Sequence, residues 1–168
     1  MYIHTISFSS KRKFHLCGKL HKQFICNMPR ILAIDFGTKR TGIAVTDSLQ
    51  MIANPLKTVP GDEVLPFLKQ YMSKEQVETI VVGEPKHMDG TASGPQEALT
   101  NFVRSLEKAF PMVKVVRMDE RFTSKMAFGA MLQAGASKKQ RQDKSTIDTV
   151  SAVIILQSYM EQKAFGKS

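Results

Sequence analysis

The 168-residue sequence contains no tryptophan, two cysteines and no long apolar run. The longest apolar stretch, around Val150 to Leu156, falls far short of the ~20 residues that cross a bilayer, so a membrane span is not expected. Cys17 and Cys26 both lie within the first 27 residues, and from Met28 onward there is no thiol to build a disulfide framework. An export signal is missing too, since residues 1–27 have neither a continuous apolar core nor a small-residue cleavage site. A cytoplasmic location is therefore expected.

The same 27 residues lack acids while carrying Lys11, Arg12, Lys13, Lys19 and Lys22. Much of the net charge of +9 resides there, and the remainder of the chain has only a modest surplus of base. His15 and His21 beside the two cysteines invite a zinc reading, but no pair of cysteines is two to four residues apart, so the ligand spacing is wrong. We expect residues 1–27 to be a disordered basic extension or to lie upstream of a true start at Met28. MPRILAIDFG is how a domain opening on its first strand would begin. Residues 28–168, in a chain with 42% apolar and 23% charged residues, suit one globular domain.

Along that domain, short β-rich runs alternate with helical ones. Ile31–Phe36 reads as a central strand buried on both faces, and Thr41–Thr46 follows after a turn short enough only for a hairpin. Met51–Val59 contains Pro55 and belongs on an edge. Residues 64–72 have helical spacing with Pro66 in the first turn, and Thr79–Gly83 is a buried strand. A helix to about Ala109 opens with Ser93, Pro95 and Gln96 as capping signals, and Val113–Met118 is a fifth strand. Helices are expected over 123–134 and 145–162, with 138–144 as a loop. Right-handed β-α-β crossovers make strands four and five parallel to strand one. The expected fold is α/β, a mixed five-stranded sheet with an antiparallel strand 2 and helices on both faces.

Three acids stand out in this layout. Asp35 ends the central strand, Glu120 follows strand five in MDERFTS, and Asp148 begins the last helix. Strand ends of this kind are where α/β folds put their chemistry. Taken singly, Asp35 reads as a turn residue, Glu120 as half of an ion pair with Arg121, and Asp148 as part of a capping-box-like S-T-I-D start. Taken together, converging carboxylates need a counter-charge, and hard divalent cations with oxygen ligands supply it. Two Mg²⁺ or Mn²⁺ ions would form a clamp suited to phosphodiester hydrolysis.

DFGTKRTGIAV, VVGEPKHMDGT, MDERFTS and IDTVSAVIILQSYME, in that order and spacing, resemble the YqgF family. These are RNase H-like proteins, also called RuvX, described as Holliday-junction-resolvase-like nucleases. The resemblance covers about residues 28–162. It implies an RNase H-like sheet of order 3-2-1-4-5 and a metal-dependent nuclease that trims the 5′ end of the 16S ribosomal RNA precursor, with DNA junction resolution as the alternative. Carried over by motif, Asp35, Glu120 and Asp148 are the metal-binding catalytic set. The family's Gly-Leu-Pro is here Gly83-Glu84-Pro85, which makes Glu84 a further candidate ligand unless it is a loop acid paired with Lys86.

Lys39 and Arg40 beside Asp35, Arg121 beside Glu120, and Lys138, Lys139 and Arg141 ahead of Asp148 are candidate phosphate contacts. No aromatic-rich platform offers base stacking, which argues against tight reading of single-stranded bases. His87, the only histidine of the domain, is either an exposed loop residue or a proton-transfer group. The partner would be pre-rRNA or branched DNA, bound by a monomer or a homodimer. Two rivals remain at this point. IDFGT also resembles the phosphate loop of actin-like ATPases, although those need two such domains and one is present. A non-catalytic RNA-binding, ribosome-associated module would keep the fold without turnover.

Overall fold

The computed structural model describes residues 28–84, 94–119, 127, 129, 131–133, 135 and 137–166. Five strands, β1 (Arg30–Asp35), β2 (Arg40–Thr46), β3 (Ala53–Pro60), β4 (Val77–Glu84) and β5 (Lys114–Asp119), form one sheet in the order β3-β2-β1-β4-β5. β2 is antiparallel to both its neighbours, while β1, β4 and β5 run parallel. The expected sheet is thus the observed one. A 3₁₀ turn at Gly61–Glu63 leads into α1 (Val64–Met72), and α2 (Gly94–Ala109) connects β4 to β5. The chain ends in α3 (Lys138–Gln142) and α4 (Lys144–Ala164).

Side chains alternate across a strand, and β1 shows what that alternation sorts. Leu32 and Ile34 enter one core with Val64 and Leu68 of α1 and Leu99, Phe102, Val103 and Leu106 of α2. Ile31 and Ala33 enter the other, with Ala152, Ile155, Leu156 and Tyr159 of α4. Between Ile31 and Ile34 the central strand is apolar because both its faces are covered. Its fully buried leucine and isoleucines each contribute about 1.5–3 kcal/mol by burial. Pro66 lies in the first turn of α1 and Pro55 on the edge strand, both as the sequence predicts.

Two expectations change. Residues 138–142 form a short helix, not a loop, and Asp143 is the residue that separates it from α4. Asp143 is also the N-cap of α4, accepting from the backbone N–H groups of Ser145 and Thr146 and from both their hydroxyls. The capping reading therefore belongs to Asp143 and not to Asp148, which sits a full turn inside the helix. The predicted helix over 123–134 is helical at 127, 129 and 131–133. Residues 1–27, Ser93, Lys86 and His87 lie outside the described residues.

Candidate active site

Asp35 is the last residue of β1, and its parity with Ile31 and Ala33 turns it toward α4. Phe36, one residue on, faces the other way and stacks on Phe102 with ring centroids 4.4 Å apart. That stacking pins the strand end so that Asp35 cannot rotate off its face. Directly across β2 its partner is Gly42, and on β4 the residue after Val82, the partner of Ile34, is Gly83. Neither strand beside Asp35 therefore puts a side chain against it.

Gly42 does more than leave space. A Cβ built there would lie 2.0 Å from the carbonyl oxygen of Asp148 and 2.9 Å from the nitrogen of Thr149. Helix α4 thus crosses the sheet backbone on backbone, astride Gly42, and this close approach carries Asp148 to Asp35 across 113 residues of sequence. An isolated glycine within a strand is the sequence signal for such an approach, and in TGIAV it was there to be read.

The helix is braced on its other flank. Thr58, the partner of Gly42 on β3, has its hydroxyl 2.6 Å from that of Thr149 and 2.8 Å from the carbonyl oxygen of Ser145. These hydroxyls line an open groove of about 340 Å³ with Pro55, Thr146 and Val150. Their hydrogens are engaged within the brace itself, so its role is to fix the crossing angle of α4.

On the acid flank, burial and the charge of Asp148 push the Asp35 carboxyl up from its usual 3.8 to about 6, opposed by the Ser151 hydroxyl. Desolvation is the larger cause, and a second acid in place of a base adds to it. Asp148 has its own cation: Arg40, the first residue of β2, puts Nε 3.0 Å from Oδ2. Both side chains are partly open to solvent, 43% for Arg40 and 25% for Asp148, so this pair is easily exchanged.

The structure brings together Asp35, Asp148 and Arg40. It does not bring Glu84 to them. Glu84 has the parity of Ile80 and Val82, which face α1 and α2, and it pairs at 3.4 Å with Arg117. The expected pairing with Lys86 lies outside the described residues, and the parity of Glu84 points it to the opposite side of the sheet from Asp35. Lys39 is exposed in the β1–β2 turn, and Lys138 and Lys139 are exposed on α3, which also contains Arg141. Glu120 and Arg121 follow Asp119 in sequence and lie outside the described residues. Among the described residues no three acids, histidines or cysteines cluster as a complete metal site. No helix among them is long and apolar enough to cross a membrane.

Among the described residues Asp35 is a partly buried acid with no base of its own, facing a second acid beside two glycines, and this donor set fits a hard cation. The chain as a whole is similar to known proteins. The family described as "RuvX: Holliday junction resolvase" matches residues 29–162. A relative from Flavobacterium johnsoniae is 54% identical over 138 residues, covering 82% of this chain and all of that protein. One from Bacteroides thetaiotaomicron matches with the same identity and coverage. Both carry the name "Putative pre-16S rRNA nuclease". Among solved structures, Thermus thermophilus RuvC in complex with Holliday junction substrate superposes with a TM-score of 0.55 at 14% identity. It covers 83% of this chain and 98% of that one, and at this identity it speaks for the fold alone.

Proposed function

Because the chain belongs to the RuvX family, we propose that it is a divalent-metal-dependent nuclease whose substrate is the 5′ region of the 16S ribosomal RNA precursor. The observation that carries this reading is the pairing of Asp35 with Asp148 across a glycine crossing. In this reading Asp35, Asp148 and Glu120 hold the Mg²⁺ or Mn²⁺. The bound metal supplies positive charge that favours ionised water as the attacking group and offsets charge on the scissile phosphate.

The chain's own residues do the rest. The apolar packing beneath Asp35 keeps bulk water from one side of its carboxylate, and Phe36 fixes its direction. Arg40 neutralises Asp148 before the metal binds. A guanidinium has five N–H donors and this contact uses one, so Arg40 would keep donors for a phosphate of the substrate. Lys39, Arg121, Lys138, Lys139 and Arg141 are proposed to hold the flanking backbone, which positions a strand without reading its bases.

Cleavage assays with Mn²⁺ or Mg²⁺, offering a 16S precursor and a four-way DNA junction side by side, test the proposal. Asp35→Asn, Glu120→Gln and Asp148→Asn should each lower cleavage by roughly two orders of magnitude or more while binding persists. Full turnover by Asp35→Asn would end the mechanism, and cleavage of the junction alone would reassign the substrate to DNA. Binding without cleavage of either would favour a non-catalytic RNA-binding module. The combined change of Lys138, Lys139 and Arg141 to Ala should flatten the salt dependence of binding, since each lost phosphate contact releases fewer counterions. An unchanged slope would remove α3 from the track.

A further inference from the structure

Ser151 lies three residues beyond Asp148 on α4, on the same helical face, and is 1% exposed. Its hydroxyl makes no well-formed hydrogen bond among the described residues, although it lies close enough to Asp35 to favour the ionised carboxylate. A helical serine ordinarily spends its hydrogen on the carbonyl one turn back, as Thr149 does on Ser145, yet Ser151 does not. Native interiors hold few such orphans, and each one calls for a reason. Around it are Ala152, Ile155 and the apolar face of β1, and the polar side chain within its influence is Asp35.

We propose that Ser151 is a positioning residue, whose hydroxyl donates to the Asp35 carboxylate and holds it in the orientation that receives a divalent cation. The inference rests on the metal reading above. A buried hydroxyl that spends its hydrogen on no backbone carbonyl is free to hold a neighbouring carboxylate in one orientation. Partners of this kind, one step removed from the metal, typically change its affinity by 10- to 100-fold.

The test is Mn²⁺ binding by titration calorimetry on the full chain, without substrate, for Ser151→Ala, Ser151→Cys and Asp35→Asn. Cysteine fills the serine's space but donates poorly, so it separates hydrogen bonding from packing. Both Ser151 variants should bind Mn²⁺ about tenfold more weakly while melting near the wild-type temperature. Wild-type affinity in both, or in Ser151→Cys alone, overturns the proposal. Unchanged Mn²⁺ binding by Asp35→Asn would instead overturn the metal reading, and this inference with it.

Discussion

Asp35 and Glu84 end neighbouring parallel strands, yet they meet opposite surroundings. Glu84 lies on the α1 and α2 face with the Arg117 guanidinium 3.4 Å away. Asp35 lies on the α4 face, partly buried, and among the described residues the charged group that acts on it is another acid. One strand end is a balanced ion pair and the other stores an unbalanced carboxylate. The difference comes from strand parity and from where a glycine lets a helix sit, and not from residue type. An acid at a strand end is therefore informative only once its face is known.

The largest effect should come from removing the crossing itself. Gly42→Ala puts a Cβ where the Asp148 carbonyl oxygen now lies 2.0 Å away, and both groups are backbone, so neither can step aside as a side chain would. Overpacking of this kind costs about 1–3 kcal/mol and more where nothing yields. Either α4 lifts off the sheet, with a large loss of thermal stability, or it shifts and separates Asp148 from Asp35. Mn²⁺ binding should vanish in both cases. A Gly42→Ala protein with wild-type melting and metal affinity would show that the two acids do not depend on this approach.

The imbalance at Asp35 should also appear as a pH dependence. An acid whose folded pKa is raised from 3.8 to about 6 keeps its proton in the folded state over a range where the unfolded chain has lost it. Folding is thus most favoured by this group below about pH 4, and that advantage declines as pH rises and is gone above about pH 6. Fully expressed, the shift corresponds to roughly 3 kcal/mol. In metal-free buffer, the stability of Asp35→Asn relative to wild type should rise across this window and level off above it. Asp143, whose pKa its capping hydrogen bonds lower to about 2, acts in the opposite sense below that window. A flat difference between wild type and variant from pH 4 to 7 would mean that Asp35 is not desolvated.

Much of this was legible before the fold was known. Short β-rich apolar runs and the positions of Pro55 and Pro66 gave the strands, the edge and the first helix, because each depends on local chemistry. Asp35 and Asp148 stood out as acids in apolar settings. What stayed hidden was what lies on the far side of each residue. Gly42 read only as a residue of the second strand, Ser151 only as one of the last helix and Asp143 only as one of the loop over 138–144, since their roles exist only after α4 is laid across β2. Glu84 shows the converse, a residue that sequence position recommends and strand parity turns away.

The smallest effect, and the one that tests the comparison most directly, is Glu84→Gln. The Glu84–Arg117 pair is 3.4 Å long with side chains 23% and 37% exposed, so solvent screens it and its loss should cost well under about 1 kcal/mol. Because the carboxylate faces α1 and α2, its removal takes no charge from the space between Asp35 and Asp148. Cleavage rate and Mn²⁺ affinity should both stay within about twofold of wild type. A drop approaching that of Asp35→Asn would mean that Glu84 reaches the metal after all, and that the end of β4 turns over when the cation binds.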